Sequence, residues 1–280
     1  MRQTMPEITS QTLLNTPTAA VHDVHCRGNC RHKSALECAG STHIVFPYRG
    51  VYMRHVGSDE AVADSNQVLF FNASQEYQVS HPVAGGDACL SIAVDTQMLL
   101  ELAPPELVQH QAQAVFKQQR QRIDSRAQVL VALLRHSLRN GIAEPLEGEI
   151  LTLTLVRRAL GLQTAGAAHA SHGLRRLVDR TKLVLTSDPA RRWTLAEIAA
   201  ETGGSPVYLT QVFQQIEGMP LYRYQMQLRL ARALDLLDQY EDLSALSLDL
   251  GFSSHSHFSA AFRQAFGRSP SAFKQAALQR

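Results

Sequence analysis

No stretch of the 280-residue chain approaches the roughly 18 uninterrupted apolar residues that a membrane-spanning helix needs, so no span is expected. The amino terminus, MRQTMPEITSQTLL, lacks the apolar segment of a secretory signal and carries no lipidation motif, so a cytoplasmic protein without a membrane partner is expected. A dominant charge is missing too. Lys and Arg number 27 against 25 Asp and Glu, a net +2, which by itself gives no argument for nucleic acid. The division is slightly more telling, with +3 over residues 171–280 and −1 over the first 170. Cysteine is sparse, and Cys26, Cys30, Cys38 and Cys89 all fall in the first 90 residues; a reducing compartment argues against structural disulfides among them.

What is present divides the chain. Its length suits two ordinary domains rather than one core. From residue 20 to about 95, short apolar runs (HIVF, GVYMRHVG, QVLFFN, YQVSHP, ACLSIAV) are separated at Pro47, Gly50, Gly57, Asn72, Pro82 and Gly85-Gly86, the spacing of an antiparallel sandwich or barrel. Beyond Pro104-Pro105 the period becomes helical. Val129, Leu130, Leu133, Leu134 and Leu138 share one face, and Ile150, Leu153, Leu155, Val156 and Leu160 another, predicting two antiparallel helices. The small and polar segment Gly161 to Gly173 reads as a linker. The remainder is helical. HGLRRLVDRTKLVLTS stops before Pro189, Thr194 and Glu197 form a capping box closed off by Gly203-Gly204, and Ser205-Pro206 restarts a helix with a serine cap and proline in the first turn.

That last helix recurs. SPVYLTQVFQQIEG returns 49 residues later as SHSHFSAAFRQAFG, matching Ser205 to Ser254, Leu209 to Phe258, Phe213 to Phe262, Gln215 to Gln264, Gly218 to Gly267 and Tyr224 to Phe273. A fixed period of this kind marks a duplicated supersecondary unit, and apolar matches four residues apart define a buried stripe whose intervening residues face outward. Pro220 to Tyr240 reads as one unbroken helix separating the two copies. The blocks WTLAEIAAETGGSPVYLTQVFQQIEGMPLYRY, RLARALDLL and LGFSSHSHFSAAFRQAFGRSPSAF resemble the DNA-binding domain of AraC/XylS-type transcription regulators.

The resemblance implies a multi-domain α+β protein: a cupin-like β-barrel sensor over residues 1–110, a helical dimerisation segment over 111–165, and an all-α domain with two helix-turn-helix units over 171–280. It implies that the second helix of each unit enters the major groove, the groove that distinguishes all four base pairs, on promoter DNA, with Val207, Thr210, Gln211 and Gln214 at the base edges from the first unit and His255, Ser256, Ser259 and Ala260 from the second. Ala260 stands where family members often have arginine, which shifts weight in the second unit toward phosphate contacts; Arg229, Arg263, Arg268 and Lys274 are candidates. A second copy of the chain, RNA polymerase and an unknown small-molecule effector are the implied partners, and the resemblance leaves activator and repressor both open. For an effector at the barrel mouth, Arg49, Arg54, His55, Tyr77 and His81 are candidate lining residues, each with strand packing as its ordinary alternative. The alternative for the helical region is a bundle that binds protein instead of DNA.

The metal motif of enzymatic cupins, Gly-x5-His-x-His-x3-4-Glu, is missing, so no catalysis and no certain cofactor are expected. HDVHCRGNCRHKSALEC does gather His22, His25, Cys26, Cys30, His32 and Cys38. Cys26, Cys30, His32 and Cys38 are candidate ligands for zinc or another soft metal, and Arg27, Arg31 and Lys33 would favour thiolate in a redox sensor. The paired Cys-x2-Cys knuckles of a structural zinc site are absent, which leaves cysteines that merely pack as the alternative. A metal- or thiol-responsive regulator is therefore the second functional reading. A DNA repair enzyme taking a methyl group on Cys26, Cys30 or Cys38 is the third, disfavoured by the strand pattern.

Overall fold

The computed structural model describes residues 8–28, 31–110, 114–161 and 171–278. In chain order it contains β1 (Ile8–Asn15), β2 (Ala19–Cys26), β3 (Glu37–Cys38), β4 (His43–Gly50), β5 (Tyr52–Val56), β6 (Asp59–Ala63), β7 (Gln67–Phe71), β8 (Glu76–Ser80), β9 (Asp87–Val94), α1 (Thr96–Leu102), β10 (Val108–His110), β11 (Ala114–Phe116) and β12 (Arg120–Arg122). Helices follow: α2 (Ser125–Arg139), α3 (Pro145–Leu160), α4 (His172–Ser187), α5 (Leu195–Thr202), α6 (Pro206–Glu217), α7 (Leu221–Leu236), α8 (Leu243–Asp249), α9 (His255–Phe266) and α10 (Pro270–Leu278). A sheet-rich N-terminal part thus precedes a helical C-terminal one. No helix among the described residues is long and apolar enough to cross a membrane.

The N-terminal strands form a six-stranded sheet in the order β1-β2-β9-β4-β7-β12, a four-stranded sheet β3-β8-β5-β6 and the small pair β10-β11. The two larger sheets face one another but are not hydrogen-bonded into the closed barrel that the resemblance implied. Because side chains alternate along a strand, the six-stranded sheet is apolar on both sides. Val45, Leu69, Phe71 and Cys89 meet Tyr52 and Ala63 of the smaller sheet. Ile44, Phe46, Val68, Phe70, Leu90 and Ile92 meet Leu99, Val131, Leu134, Leu155 and Val156 of α1, α2 and α3. Burial on both faces explains why QVLFF and ACLSIAV are nearly continuous apolar runs. The chain turns from β4 into β5 at Gly50, whose φ is +70° and where a Cβ would lie 2.0 Å from the Gly86 carbonyl.

Three expectations are corrected here. Pro47 does not end a strand; it sits inside β4 at a register shift between Pro47 and Arg49, where a residue without an N–H is tolerated. Strands begin at Ile8 rather than near residue 20, and β6 was missed. The long helix after Pro220 stops at Leu236 instead of reaching Tyr240. Most of the expected linker lies outside the described residues.

Helix α2 does more than cover the sheet. Val131 and Leu134 enter the N-terminal core, while Val129, Ala132 and Leu133 pack against the second helical unit of the C-terminal part. It is a wedge shared by two cores, so the apolar face expected to seek a second subunit is covered within the chain.

Candidate nucleic-acid interface

Local sequence builds each unit. Thr194 caps α5, its hydroxyl accepting from the Glu197 N–H at 3.2 Å while the Glu197 carboxylate accepts from the Thr194 N–H at 2.8 Å. The Thr194 backbone and hydroxyl, then Arg191, hold the Glu197 carboxyl down at about 2. Gly203, with φ +82°, makes the turn, and Ser205 caps α6 by accepting from the Tyr208 N–H at 3.2 Å. Ser254 does the same for α9, accepting from the His257 N–H at 3.1 Å. Both helices end on a left-handed glycine, Gly218 and Gly267. The buried stripes match as well. Phe213 meets Tyr224 edge-on at 5.3 Å, and Phe262 meets Phe273 edge-on at 5.8 Å. Full burial of each such ring contributes about 1.5–3 kcal/mol, which fixes the opposite face of each helix toward solvent.

On those outer faces lie the expected base readers. Val207, Gln211 and Gln214 are exposed on α6, and Thr210 is half-buried with its hydroxyl on the Val207 carbonyl at 2.8 Å. His255, Ser256, Ala260 and Arg263 are exposed on α9, with Ser259 half-buried and 3.4 Å from the His255 ring. Capped helix N-termini present unpaired N–H groups and positive dipole ends outward, the arrangement that attracts phosphate and lets first-turn side chains reach base edges. Tyr208, 48% exposed on the same face of α6, was missed because an aromatic reads as core by default.

Two of the four phosphate candidates are placed otherwise. Arg229 is buried, donating to the carbonyls of Pro189, Ala190, Arg191 and Gly251 at 2.7 to 3.2 Å. It ties the segment between α4 and α5, which leads into the first unit, to the turn of the second. Lys274 donates to the Tyr240 carbonyl at 2.7 Å. Arg263 and Arg268 remain exposed. Gly251 reinforces the Arg229 clamp; at φ +78° it lies so close to the first unit that a Cβ would be 1.9 Å from the Ala190 oxygen.

A family model described as a helix-turn-helix domain matches residues 198–276. The HTH-type transcriptional activator RhaR of Klebsiella pneumoniae subsp. pneumoniae is 31% identical over 137 residues, covering 49% of this chain and 47% of that protein. The transcriptional activator AggR of Escherichia coli is 34% identical over 96 residues, covering 34% of this chain and 36% of that one. A solved transcriptional regulator with an AraC-type DNA-binding domain, from Chromobacterium violaceum, is 27% identical with a TM-score of 0.36, covering 39% of this chain and 98% of that one. Residues 198–276 are a helix-turn-helix domain similar to those of these transcription regulators. The chain spans about half the length of RhaR and about a third of that of AggR.

The two halves of the chain are joined by buried polar contacts that sequence did not reveal. Asp235 of α7, 3% exposed, accepts from Arg49 of β4 at 2.8 and 3.0 Å, from Arg135 of α2 at 2.7 Å and from Arg232. Burial pushes its carboxyl up, but the Arg49 hydrogen bond and the charges of Arg135, Arg49 and Arg232 outweigh that and hold it below the usual value. Arg120 of β12 pairs with Asp179 of α4 at 2.6 Å. The Tyr224 hydroxyl donates to Asp64 at 2.7 Å, and Gln67 donates at 3.3 Å to Glu217, whose carboxylate also lies 2.6 Å from the fully buried Lys182 of α4. Beside this contact opens a cleft of about 690 Å³ lined by Gln67, Asn72, Gln75, Gln119 and Arg122 from the N-terminal half and Glu217 from α6.

The five residues expected to line an effector site do not converge on that cleft. Arg49 is committed to Asp235. Arg54 is buried on the Phe71 ring at 3.7 Å, donates to the Phe70 carbonyl and to Gln75, and is lowered by burial to about 10. His55 lies 2.8 Å from Ser80 and 3.2 Å from Glu60, and Tyr77 donates to Glu37 at 3.0 Å. His81 is 2.7 Å from Asp87. The expected metal ligands also separate: Cys38 is exposed on β3 opposite Glu76, His32 is exposed, and Cys30 lies outside the described residues. Cys26 instead meets His81 and Asp87.

Proposed function

We propose that this chain binds promoter DNA through α6 and α9 placed in two successive major-groove segments, and that a small molecule taken into the interdomain cleft adjusts how the pair is presented. The observation that carries this is the repetition of a serine-capped helix on a glycine turn, each with a polar outer face. Among the described residues, none makes a hydrogen bond to the side chains of Gln211 or Gln214. Gln recognises adenine bidentately, His and Ser donate to base acceptors, and Val or Ala suits a thymine methyl; Arg263 and Arg268 serve the phosphates. The Arg229 clamp and α7, about 24 Å long for its 16 residues at 1.5 Å each, hold the spacing between the heads.

Gln67 and Arg120 line the cleft and contact the first unit directly, so a ligand that prefers one disposition of these side chains biases the unit beside them. A homodimer forming through α3, where Leu146 and Ile150 are 69% and 56% exposed, and activation through RNA polymerase belong to the same reading. The test is retention of genomic fragments by the full chain. Recovery of a few fragments sharing two half-sites about one helical turn apart, lost when Gln211 and His255 are changed to alanine, is the expected result. Uniform retention that salt abolishes equally for both proteins overturns specific reading.

A further inference from the structure

The geometry points to a site for one divalent cation of the zinc class held by Cys26, His81 and Asp87 at the end of the two facing sheets. Their donor atoms all lie within 4.8 Å of one another. The strand register makes the first pair inevitable. Cys26, the last residue of β2, stands directly opposite Asp87, the first of β9, and directly opposed residues of antiparallel strands share a face with Cβ atoms about 4.5–5.5 Å apart. His81 arrives from the other sheet, immediately after β8.

Two glycines permit the approach: a Cβ on Gly86 would lie 2.3 Å from the Cys26 carbonyl, and one on Gly28 would lie 2.6 Å from the Gly86 Cα and 3.2 Å from the His81 ring. His81 and Asp87 are 3% and 8% exposed, whereas Cys26 is half-buried and leaves a path inward. The Nε2 of the His81 ring lies 2.7 Å from Asp87, and the ring also meets the Cys26 thiol, so all three side chains already converge on one another.

The donor chemistry suits a borderline-soft ion. Thiolate and imidazole are zinc-class ligands, and carboxylate completes a three-residue set that leaves a fourth tetrahedral position open. Thiolate and carboxylate together carry two negative charges, so a divalent ion neutralises the set as it enters, and the thiol releases its proton on binding. This set is not the one the local cysteine spacing suggests, because only Cys26 belongs to both.

The experiment titrates the reduced full-length chain with Co²⁺ as an optical stand-in and follows the thiolate-to-cobalt charge-transfer band. One equivalent should bring the band to its plateau. Cys26→Ser should abolish the band, His81→Gln should weaken binding at least about tenfold, and Cys38→Ser, removing an exposed thiol, should leave band and affinity unchanged. Absence of the band in the parent chain overturns the proposal whether or not any variant folds. So does a band that survives Cys26→Ser or disappears in Cys38→Ser.

Discussion

Replacing Asp235 by asparagine keeps the side chain's size while removing the single charge on which Arg49, Arg135 and Arg232 converge. Taking one partner from a buried ion pair costs about 3–5 kcal/mol, because the other charge is left without compensation. Here the lower end applies. The Arg49 and Arg232 side chains are 35% and 38% exposed and regain water, whereas Arg135, at 11%, does not, so the screened pairs add little. The expected loss is about 3 kcal/mol, a fall in urea midpoint of roughly 1 M for a slope near 3 kcal/mol per molar.

The pH dependence has a defined sign. A carboxyl held below its unfolded value contributes stability that is present above about pH 3.9 and is lost as the pH falls through the still lower folded value. The gap between parent and Asp235→Asn should therefore be full at pH 7 and close in acid. A cycle pairing Asp235→Asn with Arg135→Met should give a coupling above about 1 kcal/mol. A midpoint at neutral pH within about 0.2 M of the parent refutes the argument that this carboxylate fastens the two halves.

Three further outcomes follow from the geometry. Gln211→Ala should weaken binding to a selected fragment by about 1–3 kcal/mol in a gel-shift titration while leaving the melting curve unmoved. Gly251→Ala places a Cβ against the Ala190 oxygen at a positive φ and should cost at least about 2 kcal/mol, read by chemical unfolding. Ser205→Ala and Ser254→Ala should each cost about 1 kcal/mol, and near equality of the two is the signature of duplicated caps.

The parts legible in the sequence are those written locally. Caps, glycine turns and stripes four residues apart all lie within one helix, so the repeat of Ser205–Gly218 at Ser254–Gly267 was visible before any contact was known. Edge strands were not, since β1 reads ITSQT with side chains largely exposed and carries no apolar alternation. The pairing of Arg49 with Asp235 spans 186 residues, and nothing in either neighbourhood announces the other. Arg229 and Lys274 were assigned outward, but carbonyl oxygens in the turns between helices claimed them. Cys26 was singled out for its near neighbours in sequence, whereas its neighbours in space come from a strand pairing that only the fold supplies.

The wedge formed by α2 makes the two reading heads unequal in independence. The first completes its core with residues from Leu177 to Leu228 alone. The second borrows Val129, Ala132 and Leu133 from the other half of the molecule, so a chain beginning at residue 171 would bare an apolar floor under α9. Any event that lifts α2 thus loosens one helical unit while the other keeps its form, and under the proposed function a switch need only act there to leave a single unit in shape to hold DNA.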